Sequence, residues 1–378
     1  MVTGADGRLG YPTSLRVLQA GADLIISCRN ATKCAATRSK LLAEFPQGEV
    51  EQLIIDFRFG SWILPVLNPS PSKRDHVMCF VQLFREHQTR CSENGRQKEI
   101  ASSGETCSTH LSNQSFVSKH YAQVLVNNAG AIDNKMTQDG FVATMQINLF
   151  GPALFTRLLQ QNGLLKPDKH GKARVINVGS ASGYGPVMFA NGSLAFYQSP
   201  SSLIDWSRDN SVLDAGSFYA VSKFAIPQYT AWQAQTESQN TVYFTVAPGF
   251  SRDPPSGLHF LIFVSFSKDV FISCHHVSGT PCIPEILFRP CPQYPSQGAT
   301  GIAFAAMQPG IESASGANID YLTVYPKGYN QSVPWTQASP SCVPRPLPGW
   351  LGKGAGPMFW DDEQRSAFFE QVTQIISQ

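Results

Sequence analysis

The chain opens MVTGADGRLG (residues 1–10), with glycines three apart at Gly4, Gly7 and Gly10. Such a turn carries a strand tightly into a helix, and it lets a pyrophosphate approach backbone N–H groups at the helix N-terminus. A glycine-rich turn alone is also an ordinary loop. The continuation favours the nucleotide turn, because a helical stretch follows and then the short apolar run DLIISC (23–28), bounded by GA and RN. Only Met1 and Val2 precede Thr3, so the strand before the turn reads as a truncated start.

Working outward, two kinds of segment alternate. ATKCAATRSKLLAEF (31–45) has apolar residues at helical spacing, and VEQLIID (50–56) reads as a strand. VLVNNAG (124–130) is a strand ending in a turn, GFVATMQINLFGPALFTRLLQQ (140–161) a long helix, and RVINVGS (174–180) a strand. SFYAVSKFAIPQYTAWQAQT (217–236) reads as a helix and TVYFTVAPG (241–249) as a strand. Apolar strands alternating with helices predict an α/β fold, a Rossmann-type doubly wound parallel sheet. Ligands of such sheets sit at the carboxyl ends of the strands.

Two stretches interrupt the rhythm, near 57–120 and 251–297. Both exceed the ~20–25 residues that a connection carrying one helix needs. They hold six of the nine cysteines and seven of the eight histidines. Either they are surface insertions or non-coding sequence read through, and their lack of periodicity favours the second. Cys274, His275, His276, Cys282 and Cys291 match no standard zinc spacing, so no metal is expected. The expected organisation is one dinucleotide-binding domain over 1–325, then a Pro/Gly-rich tail and C-terminal helix over 326–378. In that last helix Phe368, Phe369, Val372, Ile375 and Ile376 share a face.

Bulk composition narrows the functional class. The net charge of +2 and the absence of basic clusters interleaved with aromatics argue against nucleic acid. The run LHFLIFVSF from Leu258 is too short to span a bilayer, and no signal peptide is evident. A soluble cytoplasmic protein is the expectation. Without CxxC pairs, the cysteines are expected to be free thiols.

Chemistry-bearing residues fall at the predicted strand ends. Thr3, Gly4, Gly7, Arg8, Leu9 and Gly10 make up the phosphate turn. An acid at the end of the second strand would bind the ribose 2′-hydroxyl of NAD; Arg29 stands there instead. With Arg8 it suits a 2′-phosphate, since guanidinium groups bind phosphate through paired, charge-assisted hydrogen bonds. Asp56, closing the third strand, is a candidate for the adenine ring. In Asn127-Asn128-Ala129-Gly130 the small residues admit a cofactor while the asparagines tie strands together. Tyr219 and Lys223 stand four apart on one helix, so phenol and ammonium share a face. A neighbouring cation is expected to lower the phenol's pKa toward acid–base use. Ser180, ending its strand, offers a hydroxyl to a substrate oxygen. Asn148, in the long helix, reads by itself as an interhelical polar contact.

Taken in order, TGADGRLG, NNAG, Asn148, Ser180, YAVSK and the Pro248-Gly249 turn resemble the short-chain dehydrogenase/reductase family. SCRN, QINLFGPALFT and QGATGIAFAAMQPGIESASG resemble its retinol-dehydrogenase-like branch. The resemblance covers roughly 1–56, 121–250 and 296–325 plus the terminal helix. It implies NADP(H) bound by Thr3, Gly4, Gly7, Arg8, Leu9, Gly10, Arg29, Asp56, Asn128, Ala129, Gly130, Tyr219, Lys223, Pro248 and Gly249. It implies Tyr219 as the acid–base residue, Lys223 lowering its pKa and holding the nicotinamide ribose, Ser180 polarising a carbonyl, and Asn148 supporting a water relay. The implied reaction interconverts a hydrophobic alcohol and its ketone or aldehyde, in a homodimer. Three features depart from this pattern: the shortened first strand, Pro227, which is expected to kink the catalytic helix, and the second insertion, which follows Pro248-Gly249 where the family builds its substrate-covering loop. They leave a catalytically impaired dinucleotide-binding protein as the alternative. A sugar-nucleotide epimerase, suggested by the TGxxGxxG spacing, is disfavoured by NNAG.

Overall fold

The computed structural model describes residues 1–58, 121–167, 171–180, 183, 187–195, 200–237, 239–248, 264–265, 271–272, 295–320, 323–325 and 360–377. In chain order these form β1 (Val2–Thr3), α1 (Gly10–Gln19), β2 (Leu24–Cys28), α2 (Ala31–Glu44), β3 (Val50–Ile54) and β4 (Val124–Asn127). A composite helix, α3, follows through Ala143–Met145, a π-helical turn Gln146–Phe150 and Gly151–Gln161. Next come β5 (Ala173–Val178), β6 (Val187–Met188), β7 (Leu194–Ala195), α4 (Pro200–Ser207), α5 (Ala215–Thr236) and β8 (Thr241–Ala247). The remainder are β9 (Val264–Ser265), β10 (Phe271–Ile272), α6 (Pro295–Met307), β11 (Asn318–Asp320), β12 (Thr323–Tyr325) and α7 (Asp362–Ser377).

Eight strands make one sheet in the order β12-β11-β8-β5-β4-β1-β2-β3, and every neighbouring pair is parallel except β11 with β12. The doubly wound Rossmann-type fold expected from the sequence is therefore present. Strand order reverses between β1 and β4, which opens the crevice where such folds bind ligands. The two-residue β1 is central: Val2 pairs with Ile26 of β2 and Val126 of β4.

Helices cover both faces, which is why the strands read as continuous apolar runs. On β4 and β5, Val126 and Ile176 pack toward Leu18 of α1, Leu41 of α2 and Ile302 of α6. Their neighbours Leu125 and Val175 pack toward Phe155 and Leu158 of α3, as the two-residue alternation of a strand requires. A third cluster joins α3, α4, α5 and α7, and it buries Phe368, Phe369 and Val372 of the terminal helix beside Tyr229 and Trp232. Ile375 and Ile376 of that helix are partly buried against the same cluster.

Two expectations, on the start of the long helix and on the cysteines, are corrected, and α5 stays helical through Pro227. The Lys223 carbonyl, which Pro227 cannot bond, faces Gly183, whose missing Cβ would lie 2.8 Å from that oxygen. The long helix begins at Ala143 after the β-conformation cap Val142, and Asp139 instead accepts a hydrogen bond from Gln146 Nε2. The cysteines are not all free, because Cys28 and Cys34 form a disulfide with Cα atoms 5.5 Å apart. No described helix is long and apolar enough to cross a membrane, and no cluster of metal-ligating side chains occurs among the described residues. The residues 274–291 weighed for zinc lie outside those described.

Candidate active site

The glycine turn is built as its spacing requires. Gly4 adopts φ +61° with its α-carbon against Ala129, so a side chain there would meet Ala129 Cα at 2.8 Å. At Gly10 the conflict is sharper: a Cβ would stand 2.1 Å from the Gly4 carbonyl oxygen. Leu9 caps α1 without a side-chain hydrogen bond, and the first turn carries no acid. The Tyr11 N–H donates to the Gly7 carbonyl and Pro12 has none, so that helix end meets a phosphate chiefly through its positive dipole end, with Asp6 and Arg8 of the turn beside it. The side-chain-free backbone at Gly4 and Gly10 is what close approach of a dinucleotide's pyrophosphate requires.

NNAG is locked to the turn. Thr3 Oγ1 accepts from the N–H groups of Asn128 and Ala129, both at 3.0 Å, and donates to the Val126 carbonyl at 3.2 Å. Asn128 Nδ2 donates to the carbonyls of Thr3 (2.9 Å) and Gly4 (3.2 Å). Asn127, buried behind it, donates to Thr156 Oγ1 and Asn177 Oδ1. Asn177 in turn donates to Thr230 and Gln233, which fastens α5 to the sheet under the site. Leu9 and Pro248 come together across Gly298, where a Cβ would meet each at 2.9 Å. Gly249 lies outside the described residues.

Tyr219, Lys223, Ser180, Asn148 and Gly130 converge at the carboxyl ends of β4 and β5. Lys223 is buried and its Nζ donates to the Val178 carbonyl at 2.7 Å. Burial lowers its pKa from 10.5 to about 8. The same ammonium lies 5.6 Å from the centre of the Tyr219 ring. Tyr219 and Ser180 hydrogen-bond through their hydroxyls. The expected fall in the tyrosine's pKa is reversed: burial raises it, and the Ser180 hydrogen bond only partly opposes the rise. Desolvation of the phenolate decides the direction, and the nearby ammonium is itself bonded to a backbone carbonyl. A Cβ on Gly130 would lie 3.4 Å from Asn148 Oδ1 and 3.7 Å from Lys223 Nζ, so NNAG reaches α5 here.

Asn148 sits in the π-helical turn, and its amide is heavily committed. Oδ1 accepts from the Ala131 N–H at 2.8 Å, while Nδ2 donates to the Ala131 carbonyl at 3.1 Å and to Ser222 Oγ at 2.9 Å. With both amide hydrogens taken, this side chain ties the loop after NNAG to α5. Its capacity toward a relay water is reduced to the remaining lone pair of Oδ1. Ser222, absent from the sequence-based set, completes the tie by donating to the Tyr219 carbonyl at 2.8 Å. A small hydroxyl three residues past the tyrosine is the signal that marks it, because that spacing returns a side chain to its own helix backbone.

The two arginines of the glycine turn and the end of β2 have different surroundings. Arg8 lines an open cavity of about 640 Å³ with Tyr11, Thr37, Lys40 and Ser296. Lys40, a cation the sequence reading left out, stands 4.0 Å above the Tyr11 ring, whose hydroxyl donates to Glu44. Arg29 is exposed between the two cysteines of the disulfide, and its charge acts on Asp56. Asp56 is not presented openly to an adenine: both its oxygens accept hydrogen bonds from Arg58.

No protein-family model and no curated protein matches the sequence. Solved structures are similar in chain path. Acetoin dehydrogenase from Enterobacter cloacae is 16% identical over 91% of this chain and 97% of its own, with a TM-score of 0.47. A blue fluorescent protein from a metagenomic library, in complex with NADPH, is 17% identical over 84% and 94%, also at 0.47. A metagenomic short-chain oxidoreductase in complex with NADP is 19% identical over 66% and 80%, at 0.38. At these scores the likenesses add nothing to the sheet order already read from the strand pairing.

Proposed function

We propose that the protein is an NADP(H)-dependent oxidoreductase of the short-chain dehydrogenase/reductase type, which interconverts a hydrophobic alcohol and its ketone or aldehyde. One observation carries this reading: the Tyr219 hydroxyl meets that of Ser180 at the end of β5, with the buried Lys223 ammonium one helical turn away, beside Gly130 and an uncapped helix N-terminus.

When bound, the nicotinamide supplies or accepts the hydride; that chemistry belongs to the cofactor. The protein's part is to hold the substrate oxygen and move its proton. In the reducing direction Ser180 and Tyr219 Oη hold the carbonyl oxygen, and Tyr219 gives up its phenolic proton to it. Burial keeps the phenol protonated through neutral pH, which suits an acid in reduction. Lys223 offsets the phenolate charge left behind. Asn148 and Ser222 keep the Tyr219 backbone in place against the loop after NNAG. Arg29, at the end of β2 where an acid would favour NAD, supports the phosphate-bearing cofactor, and Arg8 and Lys40 outnumber Asp6 in the cavity beside the glycine turn. Thr3, Gly4, Gly7, Leu9 and Gly10 form the pyrophosphate cradle, Asn128, Ala129 and Gly130 border it, and Pro248-Gly249 would flank the nicotinamide.

Fluorescence titration of the purified protein with NADPH and NADH tests the reading. Tighter binding of NADPH is expected, and failure of both to bind below millimolar concentration overturns it. In an active preparation Tyr219→Phe is expected to abolish turnover while leaving NADPH binding intact; unchanged turnover removes Tyr219 from the mechanism.

A further inference from the structure

At the ends of β2 and β3 the parallel register sets Cys28 beside Ile54, and the Ile55 N–H donates to the Cys28 carbonyl at 3.0 Å. Arg29 and Asp56 therefore leave the sheet as neighbours, at the point where the adenosine half of a dinucleotide would lie. The Asp56 carboxylate is engaged. Its Oδ1 accepts from the Arg58 backbone N–H and from Arg58 Nε, both at 3.0 Å. Its Oδ2 accepts from Nε at 3.0 Å and from Nη2 at 2.5 Å. A carboxylate offers about four lone-pair sites, and Arg58 approaches it through all of them. Behind the pair, Phe57 is buried edge-on against Phe155, which anchors the Asp56–Arg58 turn to α3. In front, the Arg58 side chain is 37% exposed and the Asp56 side chain 20%, so the pair is open to solvent on one side. Asp133, beyond NNAG, is the other acid that acts on Arg58.

We infer that Arg58 is a specificity-determining residue for the cofactor. By taking both oxygens of Asp56 it withholds a carboxylate that would accept hydrogens from a ribose hydroxyl or an adenine amino group, and would repel a 2′-phosphate. With Arg29 it balances the acid at the ends of β2 and β3 with positive charge. The inference rests on the dinucleotide reading and adds to it the residue that turns the pocket from NADH toward NADPH.

The test is titration of the full chain with NADPH and with NADH, unsubstituted and as Arg58→Gln, Arg58→Lys and Arg58→Gln/Asp56→Asn. Arg58→Gln is expected to weaken NADPH by about tenfold, the order of one lost charge-assisted contact. NADH should hold or tighten, because the freed carboxylate becomes its acceptor. Arg58→Lys should lie between, keeping the charge but losing the paired geometry. The double variant should regain part of the NADPH affinity, an outcome that simple loss of structure would not produce. If Arg58→Gln leaves the NADPH-to-NADH ratio within twofold, or weakens both nucleotides equally, the role of Arg58 is overturned while the dinucleotide reading stands. If the unsubstituted chain binds neither nucleotide, both are overturned.

Discussion

Lys223 offers a prediction that needs no knowledge of the substrate. Its ammonium is buried, with one backbone carbonyl as acceptor, and its pKa falls from 10.5 to about 8. At ~1.4 kcal/mol per pH unit, that fall corresponds to a penalty of about 3 kcal/mol for folding with the charge in place. Below about pH 8 the folded and unfolded chains both carry the proton, and the penalty is present in full. Between about 8 and 10.5 the folded chain has released the proton and the unfolded chain has not, so stability rises with pH. Above that window the penalty is gone. Lys223→Met removes the charge and leaves the Val178 carbonyl without this donor, at a cost of about 1–2 kcal/mol. The variant should therefore be about 1–2 kcal/mol more stable than the parent at pH 7, and should lose that advantage by pH 10. Urea unfolding of both proteins at the two pH values measures the difference, with equal slopes showing that the unfolded states match. Turnover should be lost at both. A variant less stable at pH 7, or a gap that does not change with pH, would refute the account of Lys223 as a lysine held at the expense of stability.

Three further outcomes follow from contacts in the turn and around Asn148. Gly10→Ala should abolish nucleotide binding and cost about 3 kcal/mol in thermal or urea unfolding, because the clashing atom is a backbone oxygen that cannot move aside. Ser222→Ala leaves an amide hydrogen of the buried Asn148 unpaired, so unfolding should show a loss of about 1–3 kcal/mol. If the tie also positions Tyr219, steady-state kinetics of that variant will show kcat falling more than KM. Tryptic digestion without reductant, which cuts after Arg29 and Lys33, should yield the Cys28 and Cys34 peptides joined, and reductant should separate them. Closing so short a loop is worth about 2 kcal/mol, so reductant should also lower the unfolding midpoint.

Much of the sheet was legible because its strands are covered on both faces. DLIISC and RVINVGS could be read from apolar character alone, and they emerge as Leu24–Cys28 and Ala173–Val178. The short elements were not legible. β11 and β12 are three residues each, and the β6–β7 hairpin has two-residue strands, too few to establish a period. Pro227 stays inside a helix because burial of α5 from Ser217 to Gln233 outweighs one missing hydrogen bond. The Cys28–Cys34 pair matches no CxxC spacing, and only the approach of α2 to the end of β2 brings it together.

By itself, the sequence determined the order of strands and helices, the places where only glycine can stand, and the i, i+4 placement of Tyr219 and Lys223. These follow from backbone geometry over a few residues. Tertiary structure decided the rest. Asn148 and Ser222 are 74 residues apart, yet their hydrogen bond joins the π-helical turn to α5. The direction of the Tyr219 shift, the depressed pKa of Lys223 and the engagement of Asp56 by Arg58 depend on what surrounds each charge. Residue type states which group can ionise; desolvation and partners, set only when distant segments pack, decide how strongly it is held.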